Sequence, residues 1–118
     1  MKTILAVTTA LVTGLSSFAA GAAECSNDTW KKVMSSGKVV VGVKADYKHW
    51  GYRNTDGSLV GMEIDMAQDV ADTMGVELEL VPVQSSNRMQ FLEQGKIDLM
   101  IATMSDRKDR REIVGIVG

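Results

Sequence analysis

The chain has 118 residues, with 13 Lys and Arg against 15 Asp and Glu, a net charge of −2 and a hydrophobic fraction of 45%. A mild, mostly interspersed acidic balance excludes a nucleic-acid footprint and a polybasic membrane-binding surface. A single Cys and a single His exclude an internal disulfide and any Cys/His metal spacing, so neither a metal nor a cofactor is expected.

In chain order the first element is an export signal. Lys2 supplies a positive start, residues 4–15 form an uncharged apolar run, and small residues follow through Ala20-Gly21-Ala22 and Ala23. The run falls short of the roughly 20 residues that a membrane span needs. Residues 1–23 are therefore predicted to be a cleavable signal peptide that places the rest of the chain outside the cytoplasm, in the periplasm. Glu24 precedes Cys25 where lipid attachment would want a small residue, so Cys25 is read as a free thiol near the new N-terminus.

Residues 24–36 are expected to hold a short helix over Thr29–Ser35, capped by Asn27 or Asp28 and stopped by Gly37. Lys38–Val43 is a continuous β-branched run and reads as a strand buried on both faces. Residues 44–52 read as an irregular loop carrying Tyr47, His49, Trp50 and Tyr52, and Asn54-Thr55-Asp56-Gly57 as a turn. Apolar residues at 64, 67, 70, 71 and 74 predict a helix over Gly61–Met74, with Gly75 as its C-terminal cap. On it, Glu63 and Asp65 point to opposite sides and make no carboxylate pair. Val76–Val83 alternates like a half-exposed strand. Ser86 is expected to cap a helix over Asn87–Gln94, Ile97–Ala102 to form a further apolar strand, with Asp98 structural at its start, and Ser105–Arg111 to form a charged helical turn.

Strands alternating with helices predict an α/β fold with a parallel sheet and right-handed crossovers. Ligands of such sheets bind outside the carboxyl ends of the strands, which directs attention to residues 44–52 and 102–110. These loops hold no nucleophile–base arrangement, no metal spacing and no phosphate loop, so no catalytic residue is assigned and an enzyme is not expected. What they hold suits a small zwitterion. Tyr47, Trp50 and Tyr52 can wall an apolar slot, Thr103 and Ser105 offer hydroxyls, and Arg110 is suited to a carboxylate. The competing reading of residues 106–111 is a solvated charge run.

The ordered set Gly37-Lys38-Val39-Val40-Val41-Gly42-Val43, Tyr47 with Trp50, Asp56-Gly57-Ser58-Leu59-Val60-Gly61-Met62-Glu63-Ile64-Asp65-Met66-Ala67, Asn87-Arg88, Gly95-Lys96-Ile97-Asp98-Leu99 and Ser105 through Arg110 resembles the opening of bacterial solute-binding protein family 3. These are periplasmic receptors of polar amino acid ABC importers. The resemblance implies a type II two-lobed fold that closes on its ligand, an inner-membrane ABC permease as partner, an amino acid as ligand and a monomeric state. It also implies that Arg110 grips the ligand α-carboxylate, that Thr103 and Ser105 hydrogen-bond its polar groups, that Tyr47 packs on its side chain, and that Arg88 is a second contact favouring an acidic or similarly polar ligand. The chain departs from the family pattern at Lys48, His49 and Trp50, at Arg107-Lys108-Asp109, and at Lys44, where binders of basic amino acids often carry Asp. Family members are more than twice as long, so residues 37–118 are expected to be a truncated first lobe without the second, binding ligand weakly alone. The alternatives within the resemblance are a dehydratase-like enzyme, a protein that accompanies quinoprotein dehydrogenases, or a non-functional remnant.

Overall fold

The computed structural model describes residues 28–117, so the predicted signal peptide, Cys25 and the Asn27 cap lie outside the described residues. The chain runs α1 (Asp28–Ser36), β1 (Lys38–Lys44), β2 (Asp46–Tyr47), β3 (Gly51–Arg53), β4 (Leu59–Val60), α2 (Met62–Met74), β5 (Glu77–Val83), α3 (Arg88–Glu93), β6 (Leu99–Ile101) and α4 (Lys108–Arg111).

The predicted parallel sheet is present, in the order β5-β1-β6. Its centre is β1, whose valines face alternate sides. Val39, Val41 and Val43 pack with Val33 of α1 and with Ala67 and Ala71 of α2. Small residues on that helix face let α2 lie close to the sheet. Val40 on the other face joins Val81, Val83, Ile97, Ala102, Phe91 and Leu92, and so α3 covers the side opposite α2. This two-faced burial explains why β1 reads as a continuous apolar run and not an alternating one.

Three local expectations change. The last strand is confined to Leu99–Ile101 and does not span Ile97–Ala102. The Asp98 N–H donates to the Val40 carbonyl (2.8 Å) and the Asp98 carboxylate accepts the Val40 N–H (3.0 Å), so one residue satisfies both backbone groups of its neighbour before ladder pairing begins. Residues 44–52 are not irregular throughout. Asp46 pairs with Tyr52, and Tyr47 with Gly51, in a small antiparallel sheet of order β2-β3-β4. Finally, Ser86 caps nothing. Asn87 precedes α3, and its side-chain oxygen accepts the Gln84 N–H (2.9 Å), closing the 84–87 turn without a side-chain bond to the helix.

Candidate ligand-binding site

Because β1, β5 and β6 are parallel, their carboxyl ends share one edge of the sheet. Three segments leave that edge: Lys44–Trp50, Gln84–Arg88 and Ala102–Arg110. The first and third carry contacts predicted from the loop residues themselves, and Arg88 on the second enters only through the family resemblance.

The aromatic wall forms on the first segment. Tyr47 and Trp50 stack with ring centroids 6.4 Å apart and 13° between planes. They are 52% and 43% exposed, so neither packs into the core. Tyr52 stands apart, half-buried and edge-on to His49. Main-chain bonds hold the loop in place. The Met62 and Glu63 N–H groups at the start of α2 donate to the carbonyls of His49 (3.1 Å) and Trp50 (2.8 Å). These carbonyls take the role of the side-chain cap that α2 lacks. The approach requires Gly61, which has φ 126° and whose Cβ would lie 2.3 Å from the Trp50 carbonyl oxygen. His49 (φ 75°) and Thr103 (φ 48°) are non-glycine residues in the left-handed region, and both lie in segments at this edge.

Beneath the loop lies Glu63, which is 2% exposed. Its Oε2 accepts the N–H of Lys44, the last residue of β1, at 2.9 Å. Gly51 packs directly on this contact, since a Cβ there would meet the Lys44 carbonyl at 2.4 Å and Glu63 Oε2 at 2.6 Å. Oε1 has no hydrogen-bond partner of normal geometry. Burial pushes the Glu63 pKa above the ordinary carboxylate value, opposed by the N–H groups of Lys44 and Thr103 and by the charges of Lys44 and Arg88. Glu63 is not among the contacts predicted from sequence. In the sequence it is an acidic residue in the first helical turn, usually exposed, and a member of the family-like 56–67 stretch, and neither gives it a role.

The charged residues at this edge are already sorted into roles. Arg107 pairs with Asp109 (3.0 Å) and Arg111 with Asp106, so part of the 106–111 run is a self-paired surface. Arg110 is different. Its guanidinium donates to the Ser105 carbonyl (2.7 Å) and hydroxyl (3.1 Å). Arg88 is only 8% exposed and donates to the carbonyl of Ala102 at 2.7 Å. It is a buried side chain and not a helix-surface one. Burial and the nearby Arg110 charge lower its pKa, and Glu63 raises it. Among the described residues no ion pair engages either Arg88 or Arg110. The Lys44 amine is also buried, bonded to Asp46 (3.0 Å) and to the Ser85 hydroxyl (3.2 Å). Thr103 and Ser105 are exposed on the turn after β6. An open hollow of about 320 Å³ is bounded by Ala45, Asp46, Arg53, Val83, Gln84 and Asn87 among others, and none of Tyr47, Trp50, Arg88, Thr103, Ser105 and Arg110 lines it. Among the described residues no cluster of His, Cys, Asp and Glu is fit for a metal ion, and no helix is long and apolar enough to cross a membrane.

The profile of the bacterial extracellular solute-binding proteins, family 3, matches residues 39–117. The chain belongs to this family. Among its solute-binding relatives, the glutamine-binding protein of Geobacillus stearothermophilus is 36% identical over 91 residues, which cover 74% of this chain and 35% of that protein. The cyclohexadienyl dehydratase of Pseudomonas aeruginosa is 30% identical over 80 residues, covering 68% of this chain and 30% of that protein. Of solved structures, the arginine-bound domain 1 of TmArgBP superposes with a TM-score of 0.66 at 30% identity, over 69% of this chain and 64% of that one. An ancestral cationic amino acid solute-binding protein gives a TM-score of 0.68 at 31% identity, over 71% of this chain and 37% of that one. The solute-binding fold is therefore shared, and the chain spans about a third of the length of these curated relatives.

Proposed function

We propose that this family 3 solute-binding chain belongs to the extracytoplasmic receptor of an ABC importer and binds a polar amino acid through Arg110, Arg88, Thr103, Ser105, Tyr47 and Trp50. The observation that carries the reading is the guanidinium pair. Arg88 and Arg110 are each aimed by a main-chain carbonyl and repel one another, and among the described residues neither has a carboxylate in an ion pair. An anion such as an α-carboxylate satisfies both. The stacked aromatic pair on the neighbouring loop offers an apolar surface to the rest of the ligand. Two cations, with Lys44 close to the same edge, favour an acidic or neutral polar side chain over a basic one.

A relative's domain 1, of which this chain covers 64%, has been solved with arginine bound, which supports ligand contacts within one lobe; weak binding by the chain alone stays the expectation that the titration below checks. The predicted leader at residues 1–23 supports a periplasmic address, and the family supports a monomer that delivers its ligand to an inner-membrane permease. The test is titration calorimetry of the protein with L-glutamate, L-glutamine and L-arginine, repeated on Arg110→Ala. Loss of a charge-assisted contact should weaken binding by about 1.5–3 kcal/mol, and unchanged affinity would remove Arg110 from the site.

The similarity to a dehydratase supports a second reading, an enzyme on the same scaffold. Turnover by the protein in a dehydratase assay, lost on substitution of His49, would establish it in place of transport.

A further inference from the structure

The hollow beside β5 lies outside the proposed ligand contacts and has a construction of its own. One wall is the hairpin of β2 and β3. Asp46 pairs with Tyr52 there, and the Arg53 N–H donates to the Ala45 carbonyl (3.3 Å). The other wall is the end of β5 with the 84–87 turn. In that turn the Asn87 N–H donates to the Gln84 carbonyl (3.2 Å), and the Asn87 side-chain oxygen accepts the Gln84 N–H (2.9 Å). Lys44 ties the walls together. Its amine, on a side chain only 8% exposed, meets Asp46 on one wall (3.0 Å) and the Ser85 hydroxyl on the other (3.2 Å). The walls are held by hydrogen bonds of the chain itself and braced across their width, and the volume of about 320 Å³ falls at the small end of the range for solute pockets.

The lining carries both signs of charge without cancelling them. Asp46 and Arg53 both bound the hollow, yet among the described residues no ion pair joins them. Asp46 meets Lys44 through one oxygen, which leaves the other as an acceptor. Arg53 directs one N–H group to the Gly57 carbonyl (2.9 Å) and has further donors in the same planar fork. The Asn87 NH2 and the Gln84 amide add neutral polar groups, and Ala45, Pro82 and the buried Val83 add apolar surface. We infer that this hollow is a second solute site, which takes a small zwitterion with its carboxylate on Arg53 and the Asn87 NH2, and its ammonium on Asp46 and the Gln84 side-chain oxygen. The Arg88 and Arg110 pair offers two cations to an anion, whereas the hollow offers one group of each sign. Arg88 and Arg110 play no part in it.

The test is an NMR titration of the 15N-labelled full-length protein, in wild type and in Arg110→Ala, which removes a contact of the first site only. Glycine, the smallest zwitterion of this kind, is compared with acetate and methylammonium, which carry one half each. Glycine should shift the Ala45, Asp46, Arg53 and Gln84 amides and the Asn87 side-chain NH2 saturably and alike in both proteins. It should bind about tenfold or more tightly than either half, as the loss of one charge-assisted contact implies. Arg53→Gln, at an exposed side chain, should weaken glycine by about the same factor. Asp46→Asn should weaken glycine while leaving the response to acetate unchanged. Shifts absent from these residues, acetate binding as tightly as glycine, or an Arg53→Gln variant that responds like wild type overturns the inference. Should Arg110→Ala not fold, wild type against Arg53→Gln decides. A glycine response that persists in a protein whose affinity for glutamate, glutamine and arginine is unmoved by Arg110→Ala would sink the first site and leave the second standing.

Discussion

At the scale of single residues, the sequence carries the cations more openly than the group beneath them. Arg110 and Arg88 are legible because their types and order match a family pattern. Glu63 is not, because an acidic residue in the first turn of a helix normally faces water and favours the helix dipole from there. It turns inward here only because Gly51 and Gly61 let backbone segments close over it, and such approach distances are invisible to periodicity. The inward turn has a thermodynamic signature. Its folded pKa is raised above 4.5, so the folded state holds the proton more tightly than the unfolded chain does. Glu63's contribution to stability is then complete below that ordinary value and is lost as pH rises through the folded one. Urea denaturation at pH 4 and pH 7 should show Glu63→Gln gaining stability relative to wild type at the higher pH, and a pH-independent difference would place the carboxyl in solvent.

At the scale of elements, the helices α1, α2 and α3 and the strands β1 and β5 are read correctly, and the two- and three-residue strands are not. α2 and β5 have enough residues to show a period, and β1 enough to show a continuous apolar run. β2 and β3 have two and three residues and show neither. They exist because the chain after β1 folds back at His49 and is clamped by the start of α2, a tertiary cause. β6 is short for a related reason, since Asp98 replaces ladder bonds with its own backbone and side chain. Its carboxylate is 3% exposed and also meets Lys32 of α1 at 3.0 Å. The two halves of that ion pair should therefore differ in thermal unfolding. Asp98→Ala, which strands the Val40 N–H, should cost about 1–3 kcal/mol, whereas Lys32→Ala, the exposed partner, should cost about 0–1 kcal/mol.

At the scale of the whole molecule, the described chain is a parallel sheet with an apolar layer on each face and its chemistry gathered on one edge. The layer shared with α3 supports Arg88, and the layer shared with α2 supports Glu63 and the aromatic loop. The fold class follows from strand–helix alternation, and the edge where a ligand is expected follows from the parallel sheet that the alternation implies. The sorting of the 106–111 charge run does not, because it depends on which arginine finds a carboxylate and which a main-chain carbonyl.

One arrangement has a bearing on how such receptors diversify. The aromatic loop is fastened to α2 by the carbonyls of His49 and Trp50, main-chain groups to which the Tyr47 and Trp50 rings contribute nothing. Tyr47 and Trp50 project outward from a frame that does not need them. Tyr47→Ala and Trp50→Ala should therefore leave the melting temperature nearly unchanged, within about 1 kcal/mol of stability, while altering which amino acid is preferred in a binding panel. A loop anchored this way behaves as an interchangeable cassette, in which ligand preference can drift by substitution without the scaffold having to refold around each change.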